Sequence, residues 1–308
     1  MISFLRMTRL PNLIIVVLTQ YLLYYRVLLP SFRRCNVPAS LDAFHFFLLV
    51  IATVCVAAAA YIINDIFDYE IDKINKPRSV IVHRLIPLSK AKNYYWLLNA
   101  IGLLLGAYIS WVTQNYFLFL YFPVTIFMMW WYSKALKKQP FWGNLIVAIF
   151  CALVALIILT AENTFLKVIY QEYPKEGAAV WRIFVAYAGF AFLATLFREI
   201  VKDLEDMHGD EKGGARTLPI AIGVPKTKNI SLTFGLILAA ALVFWMSYFA
   251  PAWHLGSLIF MGIGILIPTL YAIFELWRAK SKDDYNCVSK LAKYIMLSGL
   301  IYLLFYRF

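Results

Sequence analysis

Residues 42–72, DAFHFFLLVIATVCVAAAAYIINDIFDYEID, join a long apolar run to a cluster of acidic residues. The run from 42 to 66 is longer than the roughly 20 residues that a helix needs to cross a bilayer. A carboxylate at bilayer depth costs about 3 kcal/mol, so acidic residues at the end of such a run indicate that a site requires them. The stretch therefore predicts a membrane-spanning helix that ends in a polar site.

Apolar runs of this length recur along the chain, which has 308 residues, 62% of them hydrophobic and 15% charged. A soluble domain carries about 45–50% apolar and about 25% charged residues. We predict nine spans, at roughly 10–29, 42–66, 93–112, 115–132, 142–160, 178–202, 229–249, 253–277 and 288–306. No linker interrupts them, so the predicted fold is all-α, a polytopic membrane bundle in a single domain over residues 1–308.

The formal net charge of +12 indicates membrane topology rather than nucleic-acid binding, because the basic residues lie in short loops between apolar runs. Nine spans put the termini on opposite sides, and the loops on the N-terminal side hold 22 of the 29 lysines and arginines. Basic loops stay in the cytoplasm. We therefore predict an integral protein of the cell inner membrane with a cytoplasmic N-terminus. Arg33 and Arg34 run against this rule.

The first acidic motif places Asn64, Asp68 and Asp72 at i, i+4 and i+8, along one face of a helix. Like charges at this spacing repel each other and destabilise a helix. A divalent cation bound to the oxygen atoms offsets that repulsion directly. The motif therefore predicts a metal site, and a solvated acidic loop edge is the alternative.

The second acidic motif follows the sixth span, where Asp203, Asp206 and Asp210 are spaced i, i+3 and i+7 and again share one helical face. Gly213 and Gly214 are expected to end this helix. Both motifs follow even-numbered spans, so we expect them to face the same side of the membrane, the cytoplasm.

Carboxylate and amide oxygens are hard ligands that suit Mg²⁺, with Mn²⁺ as the alternative ion. His208 is a lone softer ligand, which argues against zinc, and the four cysteines have no metal or redox spacing. Mg²⁺ keeps several waters and shares its coordination sphere with substrate phosphates. Two acidic faces on one side of the membrane therefore predict a clamp for a diphosphate.

These motifs resemble the UbiA superfamily of intramembrane prenyltransferases, over essentially the whole chain. Residues 64–72 match the family signature Asn-Asp-x-x-Asp-x-x-x-Asp, and Asp206 with Asp210 match its Asp-x-x-x-Asp. Further similar stretches are 8–12, 132–137 and 143–144. The paired acidic signatures are specific to the family.

The resemblance implies nine helices around a central cavity, capped on the cytoplasmic side by helical loops. It implies transfer of a polyprenyl group from a diphosphate donor to a lipid-soluble acceptor among membrane lipids, with Mg²⁺ as cofactor and no nucleic-acid partner. The catalytic residues are then Asp68, Asp72, Asp206 and Asp210; the metal ligands are these four with Asn64 and Asp203; the diphosphate ligands are Arg78, Lys134, Lys137 and Lys202; the acceptor ligands are Arg9 and Asn12.

One departure from the family concerns the loop after the first motif, where the family has Asn-Lys-Pro-x-Arg-Pro. Residues 75–79 are one residue short of this pattern and lack the second proline. Arg78 is the predicted diphosphate ligand, and Arg84 is the alternative.

The acceptor is predicted from residues 198–206, REIVKDLED, which are most similar to the branch that alkylates geranylgeranylglyceryl phosphate in ether-lipid synthesis. An aromatic acceptor of quinone synthesis, of the 4-hydroxybenzoate or naphthoate type, is the alternative within the family. Outside it, a secondary transporter needs sites on broken helices near the bilayer midplane, whereas these motifs lie at helix ends. A CDP-alcohol phosphotransferase needs its aspartates in one compact motif, whereas these two clusters lie far apart in the chain.

Overall fold

The computed structural model describes residues 2–75, 80–249 and 255–305. Regular structure in these ranges is helical, apart from one isolated bridge between Val82 and Ile86. Nine helical stretches in the described ranges are long and apolar enough to cross a membrane, which confirms the predicted all-α polytopic fold. The spans are Leu10–Arg34, Ala43–Phe67, Leu88–Val112, Tyr116–Lys134, Trp142–Ala161, Pro174–Lys212, Val224–Tyr248, Leu255–Arg278 and Lys282–Phe305.

The described residues divide into two compact units, one drawn from residues 1–136 and 153–185, the other from 137–152 and 186–308. The helices in chain order are α1 Ile2–Met7, α2 Leu10–Leu23, α3 Leu29–Arg34, α4 Ala43–Phe67, α5 Tyr69–Asn75, α6 Leu88–Val112, α7 Tyr116–Lys134, α8 Trp142–Ala161, α9 Asn163–Glu172, α10 Pro174–Lys212, α11 Leu218–Ile222, α12 Val224–Phe249, α13 Leu255–Met261, α14 Ile267–Arg278 and α15 Lys282–Phe305. π-Helical turns at Tyr24–Leu28 and Gly262–Leu266 join α2 to α3 and α13 to α14.

Helix α10 extends beyond the apolar run that predicted it. The run covers residues 178–202, but the helix continues to Lys212 through a polar sequence. Hydropathy detects the part of a helix that lies in the bilayer and does not detect a helical extension into water. Asp203, Asp206 and Asp210 therefore lie on the helix itself.

Helices α4, α6 and α7 form the packed part of the first unit. Gly102 on α6 lies against α4, where an added Cβ would come within 2.6 Å of Cγ2 of Val56. Small residues of this kind allow two helix backbones in a membrane to approach closely. Met7 of α1 packs on Ala59 and Ile62 of α4, which fixes the N-terminal segment beside the end of α4.

The carboxylate of Glu162 joins two loops of the first unit. Its oxygens accept hydrogen bonds from the hydroxyl of Tyr24 at 3.1 Å and from the backbone N–H groups of Ser40 at 2.7 Å and Leu41 at 3.1 Å. Glu162 is fully buried, and burial raises the pKa of its carboxyl group above the ordinary value. Since a buried polar group needs its hydrogen bonds, these three donors make the burial tolerable.

Arg34 forms an ion pair within the first unit, which accounts for a cation that runs against the charge rule. Its Nε and Nη2 atoms donate to Oε1 of Glu176 at 3.0 and 2.6 Å. The pair leaves little net charge at this position. Nothing in the described part of the chain explains why Arg33 also runs against the charge rule.

An apolar core joins α10 to α14 and α15 in the second unit. It packs Phe197 and Val201 of α10 against Leu276 of α14 and Val288 of α15. In lipid, close packing rather than exclusion of water stabilises such contacts. The core thereby fixes α10, the helix that carries the second acidic motif.

Candidate active site

The first acidic motif lies at the end of α4 in the first unit. Helix α4 ends at Phe67, and Asp68 follows as its C-cap. Backbone hydrogen bonds of 2.8 Å, from the N–H of Asp68 to Asn64 and from the N–H of Asp72 to Asp68, carry the helical spacing across this boundary into α5. Nδ2 of Asn64 donates to Oδ2 of Asp68 at 2.7 Å, so an amide and a carboxylate of the motif are in contact.

Asp65, the second residue of the motif, is bound to Arg9. Nη2 of Arg9 donates to Oδ1 of Asp65 at 3.1 Å, with the two side chains 40% and 14% exposed. The guanidinium carbon of Arg9 lies 4.9 Å from the ring centroid of Tyr61. Nδ2 of Asn12 donates to the Tyr61 hydroxyl at 3.2 Å. Arg9 and Asn12, the predicted acceptor ligands, are therefore both held against α4.

The backbone of Arg9 is strained, with φ 52° and ψ 55° in the left-handed region. This conformation costs a non-glycine residue about 1–2 kcal/mol, and it persists only where surrounding contacts fix it. It turns the chain between α1 and α2. The contact with Asp65 is one of those that fix it.

Arg78 and Lys134 are two of the predicted diphosphate ligands. Arg78 lies outside the described residues. Lys134 is exposed at the end of α7, with Nζ 4.7 Å from the ring centroid of Trp130. An aromatic face attracts an ammonium group, so Trp130 holds the Lys134 charge at the end of the helix. Arg84, the alternative to Arg78, is exposed in the loop before α6.

The second acidic motif lies on α10 in the second unit. Asp203, Asp206 and Asp210 occur at helical spacing and are all partly buried. Nδ2 of Asn144, in the first turn of α8, donates to Oδ2 of Asp203 at 2.9 Å. Partners of this kind orient a carboxylate and tune its affinity for a metal ion.

Glu205 lies between two residues of the motif but has a different partner. Nδ2 of Asn286 on α15 donates to Oε1 of Glu205 at 2.7 Å, and Glu205 is buried. Residues two apart on a helix point to different faces. Asn144 and Asn286 therefore hold carboxylates on different faces of α10 and fix its rotation.

The predicted diphosphate ligand Lys202 has a carboxylate partner in the same unit. Its Nζ lies 3.5 Å from Oε2 of Glu199, whose Oε1 accepts a hydrogen bond from Arg198 at 2.5 Å. A partly exposed pair at this distance contributes little, about 0–1 kcal/mol. Lys202 can therefore exchange Glu199 for a phosphate at small cost.

The loop after α10 fixes the turn that carries Lys137. The helix ends at Lys212, as the glycines predicted, and Gly214 takes a φ of 71°, which glycine adopts freely. The backbone N–H of Arg216 then donates to the carbonyl of Lys138 at 2.8 Å. The 3₁₀ turn Leu136–Lys138 is thus tied to the segment that follows the second motif.

The oxygen atoms of the two motifs fit a hard divalent cation. Within the described ranges, no group of three His, Cys, Asp or Glu side chains forms a ready metal cage. Mg²⁺ does not require one, because it keeps several waters and takes further oxygens from phosphates. Carboxylates with one amide therefore suit Mg²⁺ shared with a substrate better than a closed structural zinc site.

Four side chains that orient the motifs were not predicted as ligands: Tyr61, Asp65, Asn144 and Asn286. A signal for the first two was available, since Tyr61 and Asp65 lie at i and i+4 and share a face of α4. Asn144 belongs to a stretch similar to the family, but its partner was not predictable. No motif or spacing in the sequence indicated that Asn286 would contact Glu205.

The UbiA prenyltransferase family matches this sequence over residues 35–298. The chain belongs to this family. The predicted enzyme class, a membrane prenyltransferase, is therefore confirmed against the transporter and CDP-alcohol phosphotransferase alternatives.

Relatives and solved structures of UbiA proteins extend over most of the chain. The digeranylgeranylglyceryl phosphate synthase of Sulfurisphaera tokodaii is 33% identical over 253 residues, 82% of this chain and 81% of that protein. A solved structure concerned with digeranylgeranylglyceryl phosphate synthase in membranes has a TM-score of 0.66 and 26% identity, over 98% of this chain and 96% of its own. A UbiA homolog from Archaeoglobus fulgidus bound to DMAPP and Mg²⁺ has a TM-score of 0.59 and 17% identity, over 98% and 99%.

Proposed function

We propose that this UbiA family member transfers a geranylgeranyl group from its diphosphate to geranylgeranylglyceryl phosphate, with Mg²⁺ as cofactor. The observation that carries the proposal is the pair of acidic motifs at the ends of membrane helices. In these motifs, Asn64 donates a hydrogen bond to Asp68, and Asn144 donates one to Asp203. The relative from S. tokodaii is named for this activity. The homolog from A. fulgidus was solved with a prenyl diphosphate and Mg²⁺.

Hard oxygen ligands for Mg²⁺ come from both motifs in this proposal. The side chains that would hold it are Asn64, Asp68, Asp72, Asp203, Asp206 and Asp210. Bound Mg²⁺ supplies positive charge that stabilises the diphosphate as it leaves. The carboxylates, which repel each other at helical spacing, are also relieved of that repulsion when the ion is held.

Basic side chains of the protein bind the diphosphate as well. The proposed ligands are Arg78, Lys134, Lys137 and Lys202. Lys202 directly precedes Asp203 on α10, and the turn that carries Lys137 is tied to the loop after Asp210. Cations that are fixed in advance bind a leaving group more tightly as its charge grows.

The reaction breaks the bond between the allylic carbon and the diphosphate oxygen, and the electron pair leaves with the diphosphate. The free hydroxyl oxygen of the acceptor forms an ether bond to that carbon, and its proton passes to the released diphosphate, which is the base that the reaction itself supplies. The positive charge that develops on the allylic carbon is sensitive to water, which an apolar helical bundle excludes. Aromatic faces, in a chain with 17% aromatic residues, stabilise that charge.

Arg9 and Asn12 are the proposed ligands of the acceptor phosphate. A guanidinium group matches phosphate oxygens through paired N–H donors. Arg9 is held by Asp65 yet remains 40% exposed, so it is both fixed and accessible. This combination suits an acceptor with a phosphate headgroup.

The proposal includes a single domain over residues 1–308, with the N-terminus and both acidic motifs on the cytoplasmic side of the cell inner membrane. The match of one family model over residues 35–298 supports the single domain. The basic residues concentrated in loops on the N-terminal side support the orientation.

The test is an acceptor panel with purified protein, Mg²⁺ and radiolabelled geranylgeranyl diphosphate. The panel contains geranylgeranylglyceryl phosphate, 4-hydroxybenzoate and a naphthoate. We expect diphosphate release with the first acceptor and only background release with the aromatic ones. Diphosphate release with an aromatic acceptor alone would contradict the proposed identity of the acceptor. No release with any acceptor, under conditions that support an established relative, would contradict the reaction.

A further inference from the structure

An open apolar groove runs along the surface of the second unit between α12 and α14. Its volume is about 350 Å³. The lining side chains are Leu232, Leu236, Leu270, Ile273, Phe274 and Trp277. Leu236 and Trp277 are 56% and 66% exposed. Because the protein is integral to the membrane, such large exposed apolar side chains on two spanning helices face lipid.

Fixed positive charge lies at one end of this groove. Lys228, in the second turn of α12, donates from Nζ to the backbone carbonyls of Trp277 and Ala279, both at 2.8 Å. An ammonium group has three donors, so these bonds leave one N–H for a further acceptor. The guanidinium carbon of Arg278 lies 5.3 Å from the ring centroid of Phe274. Both cations are therefore held next to groove residues.

Basic side chains outnumber acidic ones in the segments that form this end. The basic ones are Lys226, Lys228, Arg278, Lys280 and Lys282, and the acidic ones are Glu275, Asp283 and Asp284. The carboxylate of Asp284 accepts hydrogen bonds from the backbone N–H groups of Lys280 at 2.9 Å and Ser281 at 2.8 Å. That carboxylate is therefore occupied at the start of α15, and the end of the groove keeps a net positive charge.

We infer that the groove binds an anionic membrane lipid, with its chains along the apolar lining and its phosphate at Lys228, Arg278 and Lys280. Basic pockets between membrane helices bind anionic headgroups, and a tryptophan such as Trp277 is typical of headgroup depth. A purely apolar lipid-facing surface has no means of selecting a headgroup, whereas fixed cations beside a groove do. The inference uses none of the residues of the proposed reaction and is independent of it.

The experiment measures lipid retention rather than activity. Purified full-length protein is equilibrated with equal amounts of phosphatidylglycerol and phosphatidylcholine of matched chains, and bound lipids are counted by native mass spectrometry. We expect the protein to retain phosphatidylglycerol in preference. The double variant Arg278→Gln with Lys280→Gln should lower that preference by roughly 25-fold, because each cation near an anionic headgroup contributes about fivefold.

A matched control removes two exposed cations elsewhere. Lys90→Gln with Lys92→Gln changes the start of α6 in the first unit and should leave the preference unchanged. Leu236→Trp fills the groove without changing its charge and should displace the bound phosphatidylglycerol. Equal retention of the two lipids by the unaltered protein, or an equal loss in the two double variants, would overturn the inference.

Discussion

Nη2 of Arg9 donates to the carboxylate of Asp65 at 3.1 Å, although 56 residues separate them in the chain. The contact joins the N-terminal segment to the helix that carries the first acidic motif. Asp65 is therefore bound to Arg9, whereas its neighbours Asn64 and Asp68 contact each other. Within one motif, Asp65 thus holds a basic side chain, while its neighbours Asn64 and Asp68 are the proposed oxygen ligands of the metal ion.

The variant Asp65→Asn is expected to weaken acceptor binding. A partly exposed ion pair contributes up to about 1 kcal/mol, so the KM for geranylgeranylglyceryl phosphate should rise up to about fivefold, while the KM for geranylgeranyl diphosphate stays the same. Steady-state kinetics with each substrate varied in turn measures both. Glu176→Gln breaks the Arg34 ion pair and should change neither KM. An equal rise of both KM values in Asp65→Asn would argue against a role at the acceptor.

The variant Asn144→Ala is expected to increase the Mg²⁺ requirement. Loss of a partner that orients a metal ligand weakens metal binding by about 10–100-fold, so the Mg²⁺ concentration at half-maximal rate should rise by about tenfold or more. Asn286→Ala is the matched control, because it removes an asparagine from Glu205 on the same helix. A titration of the rate with Mg²⁺ compares them. The same shift in both variants would show that only the placement of α10 matters.

The variants Asp68→Asn and Asp206→Asn are expected to lose about a hundredfold or more of the turnover, as removal of one stabilising group at a reacting centre does. Asparagine keeps the size of the side chain, so the fold should persist. Diphosphate release gives the rate, and melting followed by circular dichroism gives the stability. Asp283→Asn, exposed at the start of α15, should behave like the unaltered protein. Near-normal turnover of either motif variant with Mg²⁺ would refute its place among the ligands.

The buried carboxylate of Glu162 should make the stability depend on pH. Its pKa is raised by burial above the ordinary 4.5, so the folded protein holds this proton more tightly than the unfolded chain does. The stability is therefore highest below about 4.5 and falls as the pH rises from there through the raised pKa. Thermal melting in detergent across this range should show the fall, and Glu162→Gln should flatten it. If the stability of Glu162→Gln fell by the same amount over this pH range, another titratable group would be the cause.

The spanning helices were predictable because the bilayer sets a minimum length of apolar sequence. Even the weakly marked boundary after the third span is real, since α6 ends at Val112 and Asn115 caps α7 by accepting a hydrogen bond from the N–H of Phe117 at 3.2 Å. The end of α10 was predictable from a different signal, because Gly213 and Gly214 mark where the helix stops. Its last turns lie beyond the apolar run, where helix formation depends on capping and packing rather than on hydropathy.

The acidic motifs were visible in the sequence because their spacing is local and repeats along a helix. Their partners were not, because Arg9 reaches Asp65 and Asn144 reaches Asp203 only through the packing of helices distant in the chain. The ion pair of Arg34 with Glu176 is a similar case. Topology rules count charges by side of the membrane and carry no information about which charges pair.

The mass of the product formed in a competition between acceptors tests the proposed reaction most directly. Purified protein receives one pool of geranylgeranyl diphosphate with Mg²⁺ and equal amounts of geranylgeranylglyceryl phosphate and 4-hydroxybenzoate. We expect the glycerol phosphate to gain one geranylgeranyl group, and this product to vanish when Mg²⁺ is chelated. A prenylated aromatic acid as the main product, or an ether product that persists undiminished after chelation, would contradict the proposal.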